Sequence, residues 1–258
     1  MTTTVEFENP FQTRSILGVK IAISSYDEVV RQSLRLAVEQ RSSAFFFAAV
    51  HMVMEAVDDP EFLPILNRSG TTFPDGMPLV WALRVLGEKK ARRVCGTDST
   101  IALLMAAEEA GVPVGFYGGS QATLDALVKA VQSRHPRLKI AYVESPPFRP
   151  LTADEDAAII ARIAASGAGL LFVGLGCPKQ ERWIVDHLGR VNAVMFAVGA
   201  AFDFIAGNKS RGPQWMSRCG LEWLYRLWTE PRRLAMRYLK HNPRFTLRFL
   251  WQILSGNA

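Results

Sequence analysis

The chain has few cysteines and no long apolar run, and each shortage excludes a class of protein. Its three cysteines, Cys95, Cys177 and Cys219, are widely separated and form no CxxC pair. An odd, scattered set does not build a disulfide framework, so a reducing, cytoplasmic compartment is expected. The sequence has no apolar run of about 18 residues, the length of a membrane-spanning helix. Its first residues also lack the apolar core of a signal peptide.

Several catalytic signatures are missing as well. The sequence contains no GxSxG, HExxH or Walker A motif. The four histidines, His51, His135, His187 and His241, are not spaced as metal ligands, so we expect neither a metal nor a cofactor. A DxD pattern occurs in the triplet 154–156, but it follows Thr152 at a predicted helix start, where acidic residues favour capping.

What the chain does have is a globular composition and an uneven distribution of charge. Of its 258 residues 49% are hydrophobic and 21% charged, enough to build a sizeable core. Residues 209–258 hold ten basic and two acidic residues, a net charge of +8, and four of the six tryptophans. Residues 1–208 carry a net charge of −2. We therefore predict a catalytic body, 1–208, and a basic, tryptophan-rich helical appendage, 209–258.

Strand-like apolar segments alternate with helical segments through the body. The strands VPVGFYGG, KIAYVE, LLFVGLG and AVMFAVG are separated by amphipathic helices. Such β-α-β repeats predict an α/β fold with a Rossmann-like, largely parallel sheet flanked by helices. The run SAFFFAAVHMV is predicted to be a strand with His51 at its end, followed by a helix at about 54–67. The appendage is predicted to form three short helices, at about 213–229, 231–240 and 243–254.

Loops at the carboxyl ends of parallel strands are where ligands bind. Gly118 and Gly119 occupy such a loop, where the backbone can approach a phosphate, although a plain tight turn explains this pair equally well. A second loop has two glycines, a proline at the helix start and polar residues in the first helical turn, but not the dinucleotide pattern GxGxxG. It favours a nucleotide-diphosphate site over a structural turn. Its candidate ligand-binding residues are Gly174, Gly176, Gln180 and Glu181.

Four further charged or polar residues are candidates for the same site. Asp203, between two phenylalanines, can accept from ligand hydroxyls or from amides of its own loop. Arg211 is a plausible phosphate partner. Asp75 lies in a Pro-Asp-Gly turn, yet an acid in a cleft there can act as a general base. His51 is by default a core or rim histidine.

Four blocks of the sequence together resemble a known enzyme family. They are PDGMPLVWALRVLG, GLGCPKQERW, AVGAAFDFIAGNKSRGPQWM and GLEWLYRLWTEPRRLAMRYL. The chain resembles the WecG/TagA/CpsF glycosyltransferases, glycosyltransferase family 26, from about Ile16 to Phe249. This resemblance implies a bacterial, metal-independent, inverting enzyme that moves a sugar from a UDP-sugar to a polyprenyl-diphosphate-linked saccharide. Products of the family include exopolysaccharides and cell-wall polymers.

The resemblance also implies roles for individual residues. Asp75 falls on the family's proposed catalytic base. The GLGxPKQE loop belongs to the nucleotide-sugar site, and the FDFxAG loop adds Asp203 as a pocket residue. The appendage is implied to reach over the active site and hold the lipid diphosphate, through Arg226, Arg232, Arg233 and Arg237.

The chain departs from the family in the strand before the DG loop. Members commonly carry Thr or Asn there, whereas this strand has no such residue before His51. Either His51 substitutes for it, or the donor is not an N-acetylmannosamine derivative and is, for example, a plain hexose.

Arginines and tryptophans in the appendage match an anionic membrane surface. Basic residues are attracted to the cytoplasmic leaflet, and tryptophan prefers the headgroup interface. We therefore expect a cytoplasmic protein bound peripherally to the inner face of the membrane. No nucleic-acid-binding motif is present, and a homo-oligomer stays open. Two alternatives are a Rossmann-type NAD-dependent oxidoreductase and a non-catalytic membrane scaffold.

Overall fold

A computed structural model gives the fold of this chain. It describes residues 10–213, 216 and 221–256, except for the side chain of Arg233. Residues 214–215 and 217–220 of the predicted helix at about 213–229 therefore lie outside the described residues. The side chain of Arg233, a predicted diphosphate ligand, lies outside them too.

An eight-stranded sheet forms the centre of the body, in the order β1-β2-β4-β3-β8-β7-β5-β6. Its strands are β1 Thr13–Ile16, β2 Val19–Ala22, β3 Ser43–Ala48, β4 Thr71–Pro74, β5 Val114–Gly118, β6 Ile140–Glu144, β7 Leu170–Gly174 and β8 Val194–Ala197. The pair β1–β2 is antiparallel, and every other pair in the sheet is parallel. The predicted α/β fold with a largely parallel sheet is confirmed.

Helices cover both faces of this sheet. In the body they are α1 Tyr26–Val38, α2 Val50–Asp58, α3 Phe62–Arg68, α4 Met77–Val85, α5 Gly96–Ala110, α6 Gln121–Arg134, α7 Ala153–Ser166, α8 Lys179–Asp186 and α9 Ala201–Ile205. The appendage contributes α10 Glu222–Thr229 and α11 Pro231–Leu254.

Buried side chains alternate between two cores, one on each side of the sheet. Phe45 and Phe46 of β3 point to opposite cores, and so do Met195 and Phe196 of β8. Because successive side chains of a strand alternate, strands that are apolar throughout must be covered on both faces. This requirement explains the uninterrupted apolar runs in the sequence.

Two predictions around β3 are wrong. The strand ends at Ala48, so His51 lies in the first turn of α2 rather than at a strand end. The predicted helix at 54–67 is two helices, because Asp59 accepts from the amides of Glu61 and Phe62 and starts α3 anew. A continuous apolar run does not reveal where a buried strand becomes a buried helix.

The appendage lies against the body through its last helix. Phe245 and Phe249 of α11 are buried in the same core as residues of α2. The three helices predicted for the appendage are wrong in one respect: α11 runs unbroken through Pro243. The predicted break at Pro231 is confirmed, since α10 ends at Thr229 and Pro231 opens α11.

Candidate functional site

A cavity of about 790 Å³ lies between the carboxyl edge of the sheet and the appendage. Its floor is made by the segments that follow β3, β4, β7 and β8, including Asp75 and Gly176. Residues of α10 and α11 form the opposite wall. The carboxyl edge of a parallel sheet is where such folds bind ligands, so this cavity is the candidate active site.

Asp75 is held firmly at the end of β4. Its amide donates to the Ala48 carbonyl at the end of β3, at 2.8 Å. Its carboxylate accepts from Nη2 of Arg93 at 3.0 Å and from the amide of Gly96 at 3.3 Å. The side chain is 25% exposed and lines the cavity. A fixed, partly accessible carboxylate of this kind can receive a proton from a bound hydroxyl.

Arg93 connects Asp75 to the appendage. Its Nη1 donates at 2.8 Å to Oε2 of Glu222 on α10, and Oε1 of Glu222 accepts from Arg226 at 3.0 Å. Burial alone would lower the pKa of the Arg93 guanidinium, but the charges of Asp75 and Glu222 raise it above the ordinary value. Sequence reasoning missed both Arg93 and Glu222. An acid within a strongly basic appendage was the available signal for Glu222.

The Gly176–Glu181 loop, which follows β7 and includes the first turn of α8, brings Gly176, Gln180 and Glu181 to the cavity, and their contacts with a ligand stay predictions. Oε1 of Gln180 accepts from the Gly176 amide at 3.1 Å, and its Nε2 donates to Glu181 at 2.8 Å. Gln180 therefore braces the loop. Oε2 of Glu181 is buried without a hydrogen-bond partner, and burial raises the pKa of this carboxyl to about 7.

Gly118, Gly119 and Gly174 are not among the described residues that line the cavity. Gly118 has φ +110°, and a Cβ built on it would lie 2.7 Å from the carbonyl carbon of Gly174. A Cβ on Gly174 would in turn meet the Phe202 ring at 2.6 Å. These contacts give Gly118 and Gly174 a packing role, and phosphate binding by the Gly118–Gly119 pair stays a prediction.

Asp203 and Arg211 also lie outside the described cavity wall. Asp203 faces Lys209 at 3.5 Å, and Lys209 continues to Glu230 at 3.3 Å. Arg211 donates to Asp98 at 2.6 Å. Both residues thus form ion pairs beside the site, and their contacts with ligands stay predictions.

Two of the predicted diphosphate ligands, Arg226 and Arg237, line the cavity from α10 and α11, whereas Arg232 does not. The Arg226 guanidinium also lies over the Phe204 ring, 4.8 Å from its centroid. His51 lines the cavity from α2. The structure therefore brings together Asp75, His51, the Gly176–Glu181 loop and two arginines of the appendage.

The helix α10 exposes apolar side chains. Leu224 and Trp228 are exposed rather than packed on the core, and the buried residue of this helix is Glu222.

Over the ranges described above, no helix is long and apolar enough to cross a bilayer. Nor do three or more His, Cys, Asp or Glu side chains in those ranges converge as metal ligands.

Comparison with known proteins relates this chain to sugar-transferring enzymes. The profile of the glycosyl transferase WecG/TagA/CpsF family matches residues 14–258. A Bacillus subtilis protein is 28% identical over 227 residues, 85% of each chain, and a Bacillus spizizenii protein is 29% identical over 225 residues, 86% of this chain and 85% of its own. Both relatives are named N-acetylglucosaminyldiphosphoundecaprenol N-acetyl-beta-D-mannosaminyltransferase.

Proposed function

Because this chain belongs to the WecG/TagA/CpsF family of glycosyl transferases, we propose that it moves a sugar from a UDP-sugar to N-acetylglucosaminyldiphosphoundecaprenol. As a glycosyltransferase it is neither the oxidoreductase nor the scaffold considered above. The acceptor is the one in the names of its two relatives. One observation carries the proposal: Asp75 and the Gly176–Glu181 loop open into one cavity that arginines of the appendage close.

The proposed reaction is a single displacement with inversion. Asp75 takes the proton of the acceptor hydroxyl, whose oxygen forms a bond to the anomeric carbon of the donor. The bond from that carbon to the diphosphate oxygen breaks, and UDP leaves with the electron pair. Arg93 and the Gly96 amide keep the Asp75 carboxylate in place. Amides at the start of α8 and nearby cationic side chains stabilise the leaving diphosphate.

The acceptor diphosphate is assigned to Arg226 and Arg237. Both line the cavity from the appendage, and guanidinium groups bind phosphate oxygens through paired hydrogen bonds. Arg226 is already oriented by Glu222 and by the Phe204 ring. A diphosphate held there places the attached sugar between the appendage and Asp75.

The outer side of the appendage is proposed to lie on the membrane. Exposed apolar residues recur along α11 at intervals of three or four residues, interrupted at Pro243: Met236, Leu239, Leu247, Leu250, Trp251 and Leu254. Trp228 of α10 is exposed as well. A helix with such an apolar stripe and flanking basic residues lies in the headgroup region, where it meets a lipid-linked acceptor.

A donor screen tests the proposed function. Purified protein is mixed with N-acetylglucosaminyldiphosphoundecaprenol and either UDP-hexoses or UDP-N-acetylhexosamines, and the product is identified by its mass. We expect one donor to give product. Its class shows whether the donor is an N-acetylhexosamine, with His51 in place of the family's Thr or Asn, or a plain hexose. No product with any donor would contradict the proposal.

Asp75→Asn is the matched variant for this screen. It should transfer at least about 100-fold more slowly, the usual effect of losing a general base, while UDP still raises the melting temperature. Transfer at the wild-type rate would exclude Asp75 as the base.

A further inference from the structure

Glu222 is a buried acid on the appendage that contacts Arg93, the residue that holds the proposed base Asp75. Only 6% of Glu222 is exposed. Arg93 uses its three nitrogens on two elements: Nε and Nη2 donate to the main-chain and side-chain oxygens of Asp75, and Nη1 donates to Glu222. The guanidinium is thus shared between the body and the appendage.

We propose that Glu222 is a positioning residue for the sugar transfer. By accepting a hydrogen bond from Nη1 of Arg93, it prevents Arg93 from binding both carboxylate oxygens of Asp75. This inference rests on the proposed function, in which Asp75 is the base. In the observed geometry Arg93 reaches only Oδ1 of Asp75, while Oδ2 faces the Gly96 amide at a longer 3.3 Å. Because Arg93 does not reach it, Oδ2 is the oxygen that we assign to accept the proton.

The negative charge of Glu222 also favours proton acceptance by Asp75. A neighbouring cation favours an ionised carboxylate, and a carboxylate so favoured accepts a proton less readily. Glu222 offsets part of the positive charge that Arg93 places beside Asp75, and it also pairs with Arg226. Other ionisable groups around this network are Tyr26, Cys95, the Asp98–Arg211 pair and His51. They are the same in every variant below, so a difference between variants reports on Glu222.

The test compares Glu222→Gln with the wild-type enzyme by measuring kcat and both KM values across pH. We expect kcat to fall about tenfold, a fraction of a full general-base effect. We also expect the acidic limb of the kcat profile to move to lower pH by roughly half a unit or more, because a neighbouring negative charge is lost. The donor KM should not change.

Two further variants separate charge from structure. Arg244→Gln breaks another ion pair between appendage and body, to Asp58 at 2.6 and 2.8 Å, far along α11 from Arg93. It should leave the acidic limb in place. Glu222→Asp keeps the charge and should also keep the limb, with a lower kcat because its reach is one methylene shorter. If Glu222→Gln does not fold, a displaced limb in Glu222→Asp overturns the charge argument.

The failing outcomes are distinct. An active wild-type enzyme whose Glu222→Gln variant keeps the wild-type kcat and limb overturns this inference alone. A variant that only raises the acceptor KM, with an unmoved limb, assigns Glu222 a structural role and overturns it as well. An inactive wild-type enzyme overturns the proposed function, and this inference with it.

Discussion

At the scale of single residues, Glu181 shows how burial sets the behaviour of a carboxyl group. It is 1% exposed, and its Oε1 accepts from Nε2 of Gln180 at 2.8 Å. The adjacent Cys177 thiol is also buried, and burial, followed by the charge of Glu181, raises the pKa of that thiol. Burial therefore disfavours the ionised form of both groups.

The raised pKa of Glu181, about 7 against an ordinary 4.5, predicts a pH-dependent cost to stability. Between these values the folded chain binds a proton that the unfolded chain has lost, so the contribution of Glu181 falls as the pH rises. Glu181→Gln mimics the protonated form and should remove this dependence. Thermal unfolding from pH 4.5 to 8 should show the variant gaining a few degrees over wild type. A constant difference across pH would contradict the burial argument.

At the scale of elements, the sequence was most informative where strands and helices alternate regularly. The strands β5 to β8 and the helices between them were predicted, because each buried strand is followed by a clear amphipathic period. The helix after Thr152 was predicted to be capped by its acids, and the structure shows Glu155 completing a capping box. The hairpin β1–β2 was not predicted, since two strands of four residues leave little pattern.

The sequence predicted only part of the candidate site, for a physical reason. Asp75 and the Gly176–Glu181 loop follow strands, and the carboxyl ends of parallel strands must meet at one edge. The ion pair between Arg93 and Glu222 depends on how α10 packs on the body, because the two residues are 129 positions apart in the sequence. No local period encodes a contact of that separation, so only the fold reveals it.

The close approach of β5 to β7 gives a prediction at this scale. Gly118→Ala should lower the melting temperature strongly, because the new Cβ would meet Gly174 at 2.7 Å while φ stays at +110°. Gly111→Ala is the matched control: its φ is +67°, but no atom beyond its chain neighbours lies within 4 Å of the added Cβ. Its loss should be limited to about 1–2 kcal/mol of backbone strain. Equal melting temperatures for the two variants would contradict the packing role of Gly118.

At the scale of the whole molecule, charge and apolar surface are separated. The basic charge lies in the appendage, whose buried residues Phe245 and Phe249 face the body while its apolar stripe faces outward. This orientation lets one helix contribute to the core, the cavity and the proposed membrane contact. It also means that deleting the appendage is a poor test of membrane binding, since deletion would uncover the core.

Point variants test the membrane contact instead. The double variant Trp228→Ala/Trp251→Ala should sediment several-fold less with phosphatidylglycerol-containing vesicles than the wild-type protein does. Phe148→Ala is the control, because Phe148 is 90% exposed but belongs to the body. Higher salt should weaken binding of every variant, as screening reduces attraction to anionic lipid. Equal sedimentation of the double variant and the control would reject the membrane role of α10 and α11.

The burial of Phe245 and Phe249 has a genetic consequence. A premature stop codon between Asn242 and Phe245 would spare every residue of the cavity floor, yet it would remove two rings from the core that α2 shares. Such a nonsense allele would be lost through misfolding and proteolysis rather than through a faulty active site. Substitutions that remove the ring of Phe245 or Phe249 are therefore expected to act through folding.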